Sequence, residues 1–83
     1  NEVGTLVQQA AAKNAVKCVL ELGGKSPQIV FADADLDRAL PIIIRAIVQN
    51  AGQTCTAGSR LLLQRSIYDS FIARVAEAFA KTR

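Results

Sequence analysis

The chain has 83 residues and a net charge of +3, and 51% of its residues are hydrophobic, with five glycines and two prolines. This composition excludes a disordered or collagen-like chain, and the length allows one small domain at most. No apolar run is long enough to span a membrane, and the chain starts with neither a signal-peptide pattern nor a methionine. We therefore expect a piece of a larger protein, without a signal peptide or a membrane partner.

The charged and metal-binding residue types narrow the function further. Ten basic residues stand singly rather than in a block, and only four residues are aromatic, which favours solvated helix surfaces over a nucleic-acid partner. Two cysteines and no histidine exclude a structural zinc site of the usual ligand count, and we expect no metal. A disulfide between Cys18 and Cys55 is formally possible, but Cys18 lies in an apolar run, so we favour a reducing, cytoplasmic setting.

The first third of the chain predicts one helix and two strands. Apolar residues spaced three and four apart predict a helix from about Glu2 to Lys13. A β-type run, residues 16–22, predicts a strand that ends at the glycine pair 23–24. A turn at residues 25–27 then leads into a second, buried strand over residues 28–31, since the residue before a proline avoids helical geometry.

The remaining chain predicts two helices and one strand. Either Asp33 or Asp35 can cap the second helix, whose apolar stripe runs to Val48 and in which Pro41 predicts a kink or a restart. Residues 50–58 have no periodicity and predict a loop, followed by a third strand over residues 60–64. Ser66 and Asp69 have the spacing of a capping box for a last helix. The order helix, strand, strand, helix, strand, helix predicts the α/β class.

Glu21 is the first candidate for chemistry. It stands at the end of an apolar run, directly before Gly23 and Gly24, and paired glycines let a backbone approach a ligand closely. If Leu20 and Leu22 desolvate its carboxyl group, the pKa of Glu21 rises towards that of a general base. The alternative is that Glu21 points to solvent from the polar face of an edge strand.

Cys55 is the second candidate, in a loop bracketed by Gly52 and Gly58. Backbone N–H groups around such a cysteine can favour the nucleophilic thiolate and can stabilise an oxyanion. The alternative is a small buried cysteine that fills a gap in the core. A nucleophilic Cys55 with Glu21 as base suggests covalent catalysis through a thioester, in which Glu21 activates the hydrolytic water. A weaker alternative keeps only the reactive thiol, with slow ester-type acyl transfer.

Two motifs resemble those of a known family. The segment Leu20-Glu21-Leu22-Gly23-Gly24-Lys25-Ser26-Pro27 is similar to the glutamate signature of the NAD(P)-dependent aldehyde dehydrogenase superfamily. The segment Gly52-Gln53-Thr54-Cys55-Thr56-Ala57-Gly58-Ser59-Arg60 is similar to its cysteine signature, and the 34-residue separation also agrees. The resemblance covers essentially the whole chain.

The resemblance implies an oxidoreductase that converts an aldehyde into a carboxylic acid with NAD or NADP. Cys55 would attack the aldehyde to give a thiohemiacetal, hydride transfer would leave a thioester, and Glu21 would activate water to release the acid. An asparagine side chain that stabilises the oxyanion would come from outside these residues. The isolated chain is expected to be inactive, and a self-associating, non-catalytic structural piece is the alternative.

The resemblance also assigns cofactor contacts and domains. Asn1-Glu2-Val3-Gly4 is similar to the end of a cofactor segment, although Asn1 replaces the usual Thr or Ser. Val3 and Leu6 would border the adenine, Gly4 would close the turn, and Leu22 and Gly23 would lie near the nicotinamide. Residues 1–24 would end the nucleotide-binding domain and residues 25–83 would start the catalytic domain, in a homo-oligomer.

Overall fold

The computed structural model describes residues 1–82, so Arg83, the last residue of the predicted catalytic domain, lies outside the described residues. Three helices and two strands follow in the order α1 (Glu2–Lys13), β1 (Pro27–Val30), α2 (Leu36–Val48), β2 (Arg60–Leu63) and α3 (Tyr68–Ala80). The strands β1 and β2 pair in parallel, with Pro27 opposite Arg60 and Val30 opposite Leu63. The helix α2 is the crossover that parallel pairing requires.

A small core lies on one face of the two strands. It is formed by Val30 of β1, Ile43 of α2, and Phe71 and Val75 of α3, and Phe71 is fully buried. Partly buried apolar side chains surround these four, namely Leu36, Ala39, Leu40, Ile44, Leu61, Leu63 and Ile67. The opposite face of the sheet carries Ile29 and Leu62, which are partners in the register and are both exposed. The helices α2 and α3 therefore cover one face of the sheet only.

The start and the interior of α2 answer two questions that the sequence leaves open. The side chain of Asp35, not that of Asp33, caps the helix: its Oδ1 accepts from the Arg38 backbone N–H at 3.2 Å. The helix then runs as one element through Pro41, so it does not restart there. Pro41 removes one backbone donor, but the apolar stripe on both sides of it packs into the same core and holds the helix together.

The predicted capping box of α3 is wrong. A 3₁₀ turn, Arg65–Ile67, precedes the helix, whose N-cap is Ile67 with no side-chain cap bond. The Ser70 hydroxyl donates to the Ile67 carbonyl oxygen at 3.3 Å instead. Ser66 lies within the 3₁₀ turn, so it is already past the extended geometry that an N-cap residue needs.

The helix α1 forms as predicted, but the predicted strand over residues 16–22 is wrong. Residues 16–26 have no regular structure among the described residues. A strand needs a hydrogen-bonded neighbour, and β1 and β2 pair only with each other. Gly4 is the one buried residue of α1, and the radius of gyration is 17.9 Å, against about 12 Å for a compact chain of this length. The N-terminal segment therefore extends away from the core.

None of the helices within residues 1–82 combines the length and the apolar character that crossing a membrane would require.

Candidate active site

The parallel register places the two candidate motifs side by side. The glutamate segment leads directly into Pro27 of β1, and the cysteine segment leads directly into Arg60 of β2. Because these two residues are partners in the register, both segments reach the sheet at the same edge. The Arg60 backbone N–H donates to the Ser26 carbonyl oxygen at 3.3 Å, and its side-chain Nε donates to the Lys25 carbonyl oxygen at 2.9 Å. The end of one motif is thus tied to the end of the other.

Glu21 and Cys55 line one open cleft of about 620 Å³ at this edge. Its walls are two stretches of chain, Glu21 to Lys25 and Gly52 to Cys55. A Cβ placed on Gly24 would lie 3.9 Å from the Cys55 carbonyl oxygen, an ordinary van der Waals distance, so Gly24 lies beside the Cys55 backbone. The predicted base and the predicted nucleophile, 34 residues apart in sequence, therefore face a common space.

Glu21 and Cys55 are both exposed, which decides whether each side chain is buried or solvated within this chain. Cys55 is exposed and is a free thiol, so it does not fill a gap in the core of this chain. Glu21 is exposed as well, so the desolvation by Leu20 and Leu22 that the sequence suggests does not occur within this chain. Cys18 is also free, which excludes the Cys18–Cys55 disulfide. Both candidate groups are accessible to a molecule in the cleft.

A turn with left-handed backbone geometry connects α2 to the segment that carries Cys55. Asn50, Ala51 and Gly52 follow the helix with φ values of 52°, 54° and 75°. The Gln53 backbone N–H donates to the Asn50 carbonyl oxygen at 3.0 Å, and the Asn50 side-chain Nδ2 donates to the Gln53 carbonyl oxygen at 3.0 Å. Asparagine and glycine tolerate positive φ, whereas alanine does not do so readily. The segment before Cys55 is therefore held by paired bonds around a strained backbone.

The segment after Cys55 contains a buried residue and is hydrogen-bonded to both α2 and β1. Ala57 is buried, and its N–H donates to the Thr54 carbonyl oxygen at 2.9 Å. The Gly58 N–H donates at 3.1 Å to the carbonyl oxygen of Ala46, in the last turn of α2. The Gln28 side-chain Nε2 donates at 2.9 Å to the carbonyl oxygen of Gly58. Both polar groups of the Gly58 backbone are thus fixed.

Gln28 is the residue of this site that sequence reasoning missed. The sequence does carry a signal, because Gln28 is a polar residue that shares the inward face of β1 with the buried Val30. A half-buried glutamine on such a face needs hydrogen-bond partners, and the partner at the shortest distance is Gly58, within the cysteine motif.

The residues that the family resemblance assigns to the cofactor are only partly brought together. Leu22 and Gly23 line the cleft, and nothing lies within 4 Å of the position of a Cβ on Gly23. Gly4 is packed on Leu22, where an added Cβ would stand 2.9 Å from Leu22 Cδ1. Val3 and Leu6 are exposed on α1 and do not line the cleft. Across residues 1–82, no group of three or more potential metal ligands occurs.

Comparisons with known proteins agree with these motifs. The aldehyde dehydrogenase family model matches residues 1–83. An aldehyde dehydrogenase of Aspergillus niger is 58% identical over 76 residues, which are 90% of this chain and 15% of that protein. Human retinal dehydrogenase 2 is 53% identical over 77 residues, which are 92% of this chain and 15% of that protein.

Solved structures agree at the level of the fold. The crystal structure of an NAD-dependent aldehyde dehydrogenase from Sinorhizobium meliloti superimposes with a TM-score of 0.91 and 48% identity, over 98% of this chain and 16% of that one. Among the matching structures, the titles name both NAD-dependent and NADP-dependent enzymes. The chain spans about 15% of the length of the curated relatives it matches. With its whole length matched by the family model and its backbone matching a part of the solved enzymes, the chain belongs to the aldehyde dehydrogenase family.

Proposed function

We propose that the protein carrying this chain oxidises an aldehyde to a carboxylic acid with NAD or NADP, with Cys55 as nucleophile and Glu21 as general base. The observation that carries the proposal is the single cleft lined by both residues. The overall reaction consumes an aldehyde, water and the oxidised nucleotide, and it releases the acid, the reduced nucleotide and a proton. Membership of the aldehyde dehydrogenase family supports this reaction class.

Cys55 acts first in the proposed sequence. Its sulfur bonds to the aldehyde carbon and gives a thiohemiacetal, whose oxyanion faces backbone N–H groups of the cysteine loop. Loss of hydride from that carbon leaves a thioester on Cys55. Glu21 then takes a proton from a water molecule, the water oxygen attacks the thioester carbon, and the Cys55 sulfur leaves as the acid is released. Both side chains are exposed beside the same cleft, which supports the participation of both in the reaction.

The residues that the resemblance assigns to the cofactor lie in the cleft and on α1, and their chemistry fits a dinucleotide. The space around Gly23 is free where any other residue would carry a Cβ, so a flat ring can approach the backbone there. Leu22 gives an apolar wall beside it, and the exposed Val3 and Leu6 offer apolar surface on α1 for the adenine. Gly4 keeps α1 close to Leu22. NAD or NADP, when bound, supplies the hydride acceptor that the chain itself lacks.

The domain and assembly assignments belong to the same proposal. Residues 1–24 end a nucleotide-binding domain, residues 25–83 begin a catalytic domain, and the whole protein forms a homo-oligomer. The change from the extended N-terminal segment to the packed unit that begins at Pro27 supports a boundary near residue 24. We also propose a reducing, cytoplasmic location, which the free thiols of Cys18 and Cys55 support. The singly spaced basic residues favour a protein without a nucleic-acid partner, and we propose no membrane partner.

The test uses the full-length protein that carries this chain and follows absorbance at 340 nm with a panel of aldehydes. We expect Cys55→Ser to lower turnover by at least about a thousandfold and Glu21→Gln by about a hundredfold or more. Cys18→Ser is the matched control and should retain turnover. Unchanged turnover in Cys55→Ser would contradict the proposal. The 83-residue chain alone is expected to form no reduced nucleotide, because it covers about 15% of the matching relatives.

A self-associating, non-catalytic role is the second candidate for the isolated chain. The accessible surface is 6604 Å², against roughly 4,800 Å² for a compact protein of this mass. The exposed pair of Ile29 and Leu62, with Phe31 beyond it, leaves one sheet face apolar and open. Sedimentation velocity discriminates: oligomers of the 83-residue chain favour this role, and a clean monomer with a cooperative melt argues against it.

A further inference from the structure

Gln28 joins three parts of the molecule that meet near the cleft. It lies in β1, one residue after the turn that ends the glutamate motif. Its Nε2 donates to the carbonyl oxygen of Gly58 at 2.9 Å and reaches the carbonyl oxygen of Ile43, in α2, at 3.5 Å. A side chain on Gly58 would overlap the Gln28 amide, so the cysteine loop and the glutamine fit each other closely.

The bond from Gln28 restrains the loop where no other described contact does. The Gly58 N–H is bound to α2 through the Ala46 carbonyl oxygen, which fixes one side of the Gly58 backbone. The Gly58 carbonyl oxygen is bound only by Gln28 among the described residues. Without that bond, the stretch from Cys55 to Gly58 keeps one anchor fewer, and the direction of the Cys55 backbone becomes less defined.

We propose that Gln28 is a positioning residue that sets where Cys55 stands relative to Glu21. Its backbone is continuous with the segment that carries Glu21, and its side chain holds the segment that carries Cys55. The same residue therefore couples the two walls of the cleft. The inference rests on the proposed roles of Cys55 and Glu21, because positioning matters for chemistry only if both act on one substrate.

Gln28→Met tests the proposal because it keeps the length of the side chain and removes the donor. Gln64→Met is the matched control: the Gln64 Oε1 accepts from the Ala32 N–H at 2.8 Å, at the opposite end of the sheet. Both variants lose side-chain-to-backbone hydrogen bonding beside the same two strands. Gln28→Met loses the bond to Gly58 and the longer one to Ile43, whereas Gln64→Met loses the bond from Ala32. They differ in whether a lost bond reaches the cysteine loop.

The first measurement is the rate at which iodoacetamide alkylates Cys55 in the full-length protein, followed by peptide mass spectrometry. Cys18 in the same digest reports general loosening of the chain. We expect Gln28→Met to change the Cys55 rate about fivefold, the effect of one hydrogen bond, while the Cys18 rate stays the same. Gln64→Met should change neither rate. An unchanged Cys55 rate in Gln28→Met, or equal changes at both cysteines, would overturn the proposal.

The second measurement is turnover of an aldehyde. Gln28→Met should lower kcat about tenfold and leave KM nearly unchanged, because misplacement affects the reacting groups more than substrate binding. A higher KM with an unchanged kcat in Gln28→Met would overturn the positioning role. If the unsubstituted protein oxidises no aldehyde, the proposed function fails, and the alkylation measurement still decides whether Gln28 orders the Cys55 loop.

A double variant separates packing from positioning. Gly58→Ala should lower the melting temperature, because its Cβ displaces the Gln28 amide. The double variant with Gln28→Ala and Gly58→Ala makes room for that Cβ, so we expect its melting temperature to recover. Its Cys55 alkylation rate should stay equal to the rate measured in the single variant Gln28→Ala. Recovery of the Cys55 rate together with the melting temperature would contradict the proposal, because packing alone would then explain the effect.

Discussion

The two ends of this molecule differ in how their structure is held. Residues 27–82 form β1, α2, β2 and α3 around one buried cluster, whereas residues 1–26 form a helix and an irregular segment with Gly4 as the only buried residue. The N-terminal helix forms because its hydrogen bonds are local and its composition is rich in good helix formers. The apolar residues 16–22 do not form a strand because a strand depends on a neighbour. The pattern of apolar residues is therefore sufficient to predict α1, but it is not sufficient to predict a strand over residues 16–22.

The largest expected effect comes from the core of the C-terminal unit. Phe71→Ala should lower its free energy of unfolding by about 3–5 kcal/mol, since the Phe71 side chain of α3 is fully buried against α2 and the sheet. Leu6→Ala is the matched control on the exposed face of α1 and should change it by less than about 0.5 kcal/mol. Urea denaturation followed by circular dichroism measures both. Equal losses would show that the two regions share one core.

The cap of α2 tests the same unit at a single hydrogen bond. Asp35→Ala should cost about 1 kcal/mol, because the Arg38 N–H loses its side-chain acceptor. Asp33→Ala removes a nearby carboxylate that makes no cap bond and should cost much less. The same denaturation experiment compares the two variants. A larger loss of stability in Asp33→Ala than in Asp35→Ala would contradict this assignment and would make Asp33 the capping residue.

Two alanines with positive φ, one in each region, sharpen the contrast. Ala51 has φ 54° and Ala15 has φ 53°. Ala51→Gly should raise the free energy of unfolding of the C-terminal unit by about 0.5–1 kcal/mol, as relief of the left-handed strain exceeds the added chain entropy. Ala15→Gly should leave that unit unchanged, because residue 15 lies outside its core. Amide exchange of α2 and α3 in both variants provides the measurement.

The smallest expected effect is a pH dependence near the end of α3. Lys81 lowers the pKa of Glu77 below the ordinary value for a glutamate through a hydrogen bond of 2.6 Å and its positive charge. A lowered folded pKa means that the stabilisation is present above about pH 4.5 and is lost as the pH falls through the folded value. Helicity between pH 5 and pH 3 should therefore fall less in Glu77→Gln than in the unsubstituted chain. A difference that survives about 1 M salt would contradict an exposed ion pair.

In the site, as in the fold, some features can be recognised from local sequence and others depend on tertiary contacts. Glu21 and Cys55 are recognisable from their glycine-flanked motifs, because the residue types and their spacing carry the signal. For Gln28 the sequence signals only a polar residue on the inward face of a strand, and it does not tell that the partner of its amide is the Gly58 carbonyl oxygen. The exposure of Glu21 is likewise a property of what packs around it and not of its apolar neighbours in sequence.

The sequence by itself determined the three helices, the strands near residues 28–31 and 60–64, the α/β class and the two chemical motifs, because each depends on local spacing and residue type. It did not distinguish these two strands from residues 16–22, which have a similar pattern. Tertiary structure decided that Asp35 caps α2, that α2 continues through Pro41, and that residues 16–22 stay unpaired. It also decided that β1 and β2 pair with Pro27 opposite Arg60, which brings Glu21 and Cys55 to one cleft. Strand pairing joins residues far apart in the chain, so its register depends on how the helices pack against the sheet and not on either motif alone.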